Sequence, residues 1–218
     1  MYDNVTMVLT SCNRLDLLER TIKSIPSEIL SKIPKKILVD DSANGECFSR
    51  LTEDNQNGYL KGWTLLLNGE KLGQAGSIDR AYSEVETEYV FHCEDDWGFE
   101  EYDFITPSIK ILEKYDNLVQ VTFRKDTPHP THDELYEEGT DCAFRVMIPG
   151  YNGWPGFTYN PNVFRFSAYK KLEKCIGMSE KDVGIFYKDN QLYTAALEKR
   201  IVYHLGDGRH VYDSIGGV

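Results

Sequence analysis

The chain has 218 residues and a net charge of −11, with 41% hydrophobic and 27% charged residues. These are the values of an ordinary globular protein, long enough to bury a real core in one domain or in one domain with an insertion. The acidic balance disfavours non-specific binding to DNA, RNA or an anionic membrane. No apolar run approaches the roughly 20 residues that span a bilayer.

The five cysteines (Cys12, Cys47, Cys93, Cys142 and Cys175) are scattered, odd in number and lack Cys-x-x-Cys spacing. They argue for a reducing compartment and against a zinc site or disulfide framework. Met1 to Thr10 enters a strand-like run directly, without the layout of a signal peptide. The expected location is the cytoplasm.

Val5 to Leu9 reads as a first strand, ending at Thr10, Ser11, Cys12, Asn13 and Arg14. Leu15, Leu18, Ile22 and Ile25 then mark one face of a helix. Pro26 and Pro34 bracket a loop or a short second helix, and Lys36 to Val39 is the next strand, ending in Asp40, Asp41 and Ser42. Ala43 to Gly62 is polar and weakly periodic, and its pattern assigns no element. Trp63 to Leu67 reads as a third strand, followed by a turn at Asn68 and Gly69. Gly73 to Val85 follows as a helix with Ala75, Ile78, Tyr82 and Val85 on one face.

Tyr89 to Cys93 reads as a short buried strand that delivers Glu94, Asp95 and Asp96 at its C-terminal end. Thr106 and Pro107 read as N-cap and first residue of a helix carrying Ile109 and Leu112, and Leu118 to Phe123 as another strand. This alternation predicts an α/β fold, a largely parallel sheet with helices on both faces. Beyond Arg124 the regularity breaks. Thr127 to Thr140 reads as a long polar loop, Cys142 to Ile148 as a strand, and Gly150 to Gly156 as a glycine- and aromatic-rich loop. Ser167 to Cys175 and Lys188 to Lys199 read as helices, and Ile201 to Leu205 as a last strand before Gly206, Asp207, Gly208, Arg209 and His210.

Three adjacent carboxylates repel one another unless a cation neutralises them. Hard oxygen ligands suit Mg²⁺ or Mn²⁺, which also take oxygens from a bound phosphate. In open α/β sheets ligands bind at the C-terminal ends of the strands. The acidic triplet is therefore a candidate metal–diphosphate site, and a solvated acidic turn is the plain alternative.

The strand ends at Thr10, Ser11, Asn13 and Arg14, at Asp40, Asp41 and Ser42, and at Glu94, Asp95 and Asp96 occur in order. Lys71, Leu72, Gly73, Gln74, Ala75, Gly76, Ser77, Ile78, Asp79, Arg80 and Ala81 precede the last of them. Together these resemble the family 2 type of nucleotide-sugar glycosyltransferase with the GT-A fold, closely over the first half and more weakly through Lys188 to Leu192 and Val202 to His204. In size and texture the chain is also similar to the capsid-glycan glycosyltransferases of large algal viruses.

The resemblance implies one GT-A domain, with residues 1–125 as a Rossmann-like half that binds the nucleotide sugar and 126–218 as an irregular acceptor and catalytic half. It implies transfer of a hexose, with inversion and with Mn²⁺ or Mg²⁺, from a nucleoside-diphosphate sugar to a hydroxyl of a glycan or glycoprotein. UDP-sugar is the default donor, with dTDP-sugar and GDP-sugar as alternatives. Asp96 matches the metal-binding end of an Asp-x-Asp element, with Glu94 acting through water or the ribose and Asp95 between them. Asp41 stands where the family contacts uracil, with Thr10 and Ser11 near the base; a turn or capping role is its alternative.

Gly73, Gln74 and Asp79 belong to the implied donor site. Arg14 and Arg80 are candidate phosphate contacts, or surface ion pairs. The base that takes the acceptor's proton is expected at Asp189 or Asp182, and helix capping is the competing role for each. His210 is a candidate further metal ligand, whereas His204 reads as a packed strand residue. Tyr151, Trp154 and Trp97 suit either a sugar face or the core.

Other chemistries fit less well. A nucleotidyltransferase would show a glycine-rich loop after the first strand, and Thr10 to Arg14 contains no glycine. A dinucleotide-binding dehydrogenase would show Gly-x-Gly-x-x-Gly there. A glycosidase needs two opposed carboxylates without a nucleotide pocket. A degenerate transferase that only binds sugar or nucleotide remains the non-enzyme reading.

Overall fold

The computed structural model describes residues 1–123, 144–147, 156–206 and 208–209. The expected loop from Thr127 to Thr140, the aromatic loop with Tyr151 and Trp154, and His210 lie outside the described residues. In chain order the elements begin β1 (Val5–Ser11), α1 (Leu15–Ser24), α2 (Ser27–Lys32), β2 (Lys35–Asp40), α3 (Gly45–Asn57), β3 (Thr64–Leu67) and α4 (Gly73–Tyr82). There follow β4 (Tyr89–Glu94), β5 (Trp97–Phe99), α5 (Ile105–Lys114), β6 (Leu118–Thr122) and β7 (Phe144–Met147). The chain continues with β8 (Asn162–Arg165), α6 (Phe166–Leu172), α7 (Glu180–Asp189), β9 (Tyr193–Leu197) and β10 (Val202–His204).

Among the described residues, eight strands form one mixed sheet in the order β3-β2-β1-β4-β8-β6-β9-β7. The pairs β2·β3, β1·β2, β1·β4 and β6·β9 are parallel. β8 runs antiparallel to both β4 and β6, and β7 antiparallel to β9. Side chains alternate across the sheet, as strand geometry requires. Met7, Leu9, Phe91 and Cys93 face one buried cluster, with Leu18, Ile22, Ile111 and Leu112 from α1 and α5. Val8, Ile37, Val39 and Val90 face the other, with Ile78 and Tyr82 of α4, Tyr169 of α6 and Val183 of α7. Helices cover both faces, as the alternation predicts. Among the described residues no helix is long and apolar enough to cross a membrane.

Three local expectations change. The unassigned stretch after Ala43 contains α3, which buries only Cys47 and Leu51. Its start is set by the Asn44 side chain, which accepts the backbone N–H groups of Glu46 and Cys47. α5 begins at Ile105, before Pro107, because Asp103 accepts the Ile105 and Thr106 N–H groups at 3.1 Å each. Pro107 is then the third helical residue, still in the first turn, where its missing N–H costs no helix bond. The helix expected from Lys188 to Lys199 is not formed. α7 stops at Asp189, Gln191 takes φ 56°, and Tyr193 to Leu197 becomes strand β9, parallel to β6.

Outside the main sheet, β5 and β10 form a two-stranded antiparallel ribbon that pairs His204 with Trp97. Tyr203 lies across Gly98, where an added Cβ would come within 2.3 Å of its ring. The ribbon therefore brings residues from the far end of the chain beside the end of β4. Replacing Asn44 by Ala is expected to lower stability by about 1 kcal/mol, roughly 2–4 °C in Tm, by removing the α3 cap. Thermal denaturation checks this, and an unchanged Tm would show that the cap contributes nothing.

Candidate active site

The ends of β1, β2 and β4 meet the first turns of α4 around one open cleft of about 200 Å³. Thr10, Ser11 and Arg14 line it from β1, and Asp41 from β2. Gln74 and Ser77 line it from α4, and Glu94, Asp95 and Asp96 from β4. Eight residues read from the sequence as donor- or metal-binding thus converge in one place.

The three carboxylates occupy unlike surroundings. Asp95 is 1% exposed and turned inward. Its Oδ2 accepts from Ser11 Oγ at 3.2 Å, Cys12 N at 3.4 Å and Arg14 Nε at 3.2 Å, while its Oδ1 pairs with Arg14 Nη2. Lost hydration nevertheless outweighs the Arg14 guanidinium and pushes its carboxyl up to about 6. Asp96 pairs with Arg14 Nη1 through Oδ2 at 2.9 Å. The same oxygen lies 3.2 Å from His204 Nε2.

Glu94 accepts from Gln74 Nε2 at 2.7 Å and from Trp97 Nε1 at 3.3 Å. Burial first, and then the Asp96 charge, push its carboxyl up to about 8. Trp97 is 3% exposed and packs against the His204 ring, which makes it a support for Glu94 within the core.

The segment after β10 folds over Asp96. Leu205 N donates to Asp96 O at 2.7 Å, and Arg14 Nη1 also donates to Arg209 O at 3.1 Å. Gly206 lies so close that an added Cβ would come within 2.7 Å of the Asp96 side chain, so only glycine fits there. Arg209 in turn pairs with Asp16, at 2.6 Å from Nη1 to Oδ2.

Asp41 is a capping residue as well as a lining residue. Its carboxylate accepts from Asn68 Nδ2 at 2.7 Å, Leu72 N at 2.8 Å and Gly73 N at 2.9 Å, which fixes the start of α4. Gly73, at φ 72°, thus contributes its backbone N–H to this cap. Arg80 is not in the cleft; it donates to Leu67 O at 3.0 Å and to the Asn68 side chain. Asp79 also stands outside the lining, its oxygens taken by Tyr169 OH, Cys175 N and Ile176 N.

Neither carboxylate expected as the base lines the cleft. Asp182 is spent in a capping box with Ser179, accepting from Ser179 N at 2.9 Å and from Ser179 Oγ at 2.7 Å. Asp189 is exposed at the other end of α7. Glu180, at the start of α7, is not a lining residue either, but its charge helps to raise Glu94. Its Oε1 accepts from Tyr159 N at 2.6 Å and Thr158 Oγ1 at 3.1 Å. By helix rise Asp189 lies roughly 14 Å further along α7 from Glu180.

Glu180 and His204 were not among the site residues read from the sequence. The available signals were a Ser-x-x-Asp capping box, which puts Glu180 at a helix start, and the strand-like Val202–His204. The structure adds the approach of His204 to Asp96 and the effect of the Glu180 charge on Glu94.

Among the described residues no three His, Cys, Asp or Glu side chains form a ready-made metal cage. The donor chemistry present still fits a hard divalent ion. Asp96 and His204 offer one carboxylate and one imidazole at a single point, and such ions take their remaining ligands from phosphate and water.

Glycosyl transferase family 2 matches residues 6–173 of the chain. A search of curated proteins gives no match. The mannosyltransferase PcManGT from Pyrobaculum calidifontis, in complex with GDP-Man and Mn²⁺, has a similar fold, with TM-score 0.69 at 14% identity over 96% of this chain and 59% of that one. S. aureus TarS (residues 1–349) in complex with UDP-GlcNAc gives 0.62 at 10% identity over 95% and 62%. GalNAc-T7 with UDP, GalNAc and Mn²⁺ gives 0.65 at 10% identity over 94% and 44%. The chain thus spans about three fifths or less of the length of these solved proteins.

The raised carboxyls predict a pH dependence. The folded Glu94 carboxyl titrates near 8 against an ordinary value of 4.5, so the folded state holds this proton more tightly and stability falls as pH rises through that window. Below the window the group is neutral in both states and costs nothing. Glu94→Gln is therefore expected to flatten the fall, gaining roughly 1–2 kcal/mol at pH 8 relative to pH 4.5 after allowance for water in the open cleft. Urea denaturation across that range in the presence of EDTA measures it. Parallel curves for the two proteins would mean that Glu94 is ordinary.

Proposed function

Because the chain belongs to glycosyl transferase family 2, we propose that it moves a glycosyl group from a nucleoside-diphosphate sugar to a hydroxyl of a glycan or glycoprotein acceptor. The observation that carries this reading is the convergence of the β1, β2 and β4 ends on one acidic cleft at the C-terminal edge of the sheet. UDP-sugar is the favoured donor. Thr10 and Asp41 line the cleft and are the groups proposed to meet the base, since a carboxylate oxygen accepts an imide N–H. Mn²⁺ or Mg²⁺ bound at Asp96, with His204 beside it, would supply positive charge for the departing diphosphate.

The side chains then divide the work. Arg14 sits against Asp95 and Asp96, where its guanidinium is also within reach of phosphate. Gln74 and Trp97 hold Glu94 from two sides, in position for the ribose or a bound water. Glu180 is the carboxylate proposed to take the acceptor's proton as the sugar carbon inverts in a single displacement. Its charge acts on Glu94 in the cleft, which favours it over Asp182, held in the capping box, and over Asp189 at the far end of α7. The scattered, odd-numbered cysteines favour a reducing compartment such as the cytoplasm.

Calorimetric titration of UDP, GDP and dTDP, each with Mn²⁺ and with EDTA, tests the donor site. One nucleotide, UDP, is expected to bind in a metal-dependent way, and Asp96→Ala to abolish that dependence. Failure of all three to bind with metal present would overturn the transferase reading. With donor and acceptor in hand, Glu180→Gln is expected to lower kcat by about 10²–10⁴-fold. Asp182→Asn should affect stability more than kcat; the reverse pattern would move the base to Asp182.

A further inference from the structure

We propose that Asp79 is a positioning residue for the reaction: through the segment joining α6 to α7 it fixes where Glu180 stands. This rests on the reading of Glu180 as the base.

The argument starts from an oddity of the sequence. A carboxylate in the C-terminal half of an ordinary helix, α4, faces the unfavourable end of the helix dipole. It therefore needs another reason to be there. The structure supplies one: Asp79 Oδ1 accepts from Cys175 N at 2.6 Å and Tyr169 OH at 2.9 Å, and Oδ2 accepts from Ile176 N at 2.7 Å. Charge-assisted bonds of this kind are short and strong.

The bonded segment has little other regular structure. It includes Glu173 at φ 70° and Gly177 at φ 80°, both in the left-handed region, and it turns through Met178 N to Cys175 O at 2.8 Å. Its second attachment to α4 is the Ile176 side chain, seated over Gly76, where an added Cβ would stand 3.5 Å from Ile176 Cδ1 and 3.0 Å from Leu72 Cβ. Three residues after Ile176 comes Ser179, the N-cap of α7, and then Glu180. A staple at Cys175 and Ile176 therefore sets the start of α7.

α4 also reaches the donor side of the cleft. Its Gln74 holds Glu94 at 2.7 Å, and its N-terminus is fixed by Asp41. One rigid helix thus carries the bond to a donor-site carboxylate at one end and the bond to the base-bearing segment near the other. Asp79 itself touches no lining residue of the cleft through these bonds, so its effect on turnover is indirect.

The test compares Asp79→Ala, Glu180→Gln and the double variant, using turnover, calorimetric binding of UDP with Mn²⁺, and thermal denaturation. Asp79→Ala is expected to lower kcat by about 10- to 100-fold, as misplacement of a reacting group does, with the nucleotide Kd within about twofold of wild type. In the Glu180→Gln background the same change should cost nothing further in kcat, since the group it positions is gone. Asp79→Asn retains one acceptor oxygen and should recover part of the loss.

Asp103→Ala, which uncaps α5, is the control for lost stability and should leave kcat within about twofold. If Asp79→Ala does not fold, Tyr169→Phe removes one of the three donors and should give a smaller kcat loss with the same dependence on Glu180. An unchanged kcat in a folded Asp79 variant, an equal fall in both backgrounds, or a matching loss of nucleotide affinity would overturn the proposal. A Glu180→Gln protein with wild-type kcat would instead remove the base reading on which it stands.

Discussion

Arg14 is the counter-charge on which the cleft depends. Its guanidinium lies against Asp95 and Asp96 together, at the end of a strand whose preceding residues are buried on both faces. Without that cation the two carboxylates would face each other in a poorly hydrated place, where like charges are most costly. The fold strengthens the pairing by supplying Ser11 Oγ and Cys12 N to Asp95 from the end of β1, and Thr21 Oγ1 to the Asp95 carbonyl from α1. Asp95 consequently looks structural in its bonding, and Asp96 and Glu94 are the carboxylates left facing the cleft. Adjacency in sequence has produced three different chemical groups.

The same arrangement explains why α4 has a special place. It begins on the Asp41 carboxylate, holds Glu94 through Gln74 and ties Asp79 to the α6–α7 segment. No hydrophobic contact alone would fix these three points relative to one another, because dispersion forces are not directional. Carboxylates near both ends of one helix do so, each satisfied by donors from a different part of the chain.

Most of the first half of the fold was legible in the sequence because local signals and global arrangement agree there. The strand runs at Val5, Lys36, Trp63, Tyr89 and Leu118 all carry apolar residues bounded by turn chemistry, and the structure keeps each of them, with shifted ends. The acidic triplet was readable because three carboxylates in a row after a buried run need an explanation. What was not legible depends on pairing between distant segments. Lys188 to Lys199 looks helical by composition, yet β6 recruits Tyr193 to Leu197 as a strand. His204 gained its place from a ribbon with β5, and Glu180 from the course of the α6–α7 segment. Asp41 and Asp79 were recognised as carboxylates that matter, but which donors they meet could not be read from residue spacing, since those donors come from other elements.

The strand order has a consequence for how the protein is made. β8, which comes late in the chain, runs antiparallel between β4 and β6 and gives β4 its second neighbour. As the polypeptide leaves the ribosome, β4 can pair with β1 early, but its other edge, including Val90 and Phe91, has no partner until Asn162 to Arg165 has emerged. An unpaired apolar edge invites association with other chains. The covering of Asp96 by Leu205 and Gly206 comes later still. The carboxylates of the acidic cleft thus precede the segments that complete it, and a nascent chain holds an open β4 edge from the emergence of Tyr89–Glu94 until that of Asn162–Arg165.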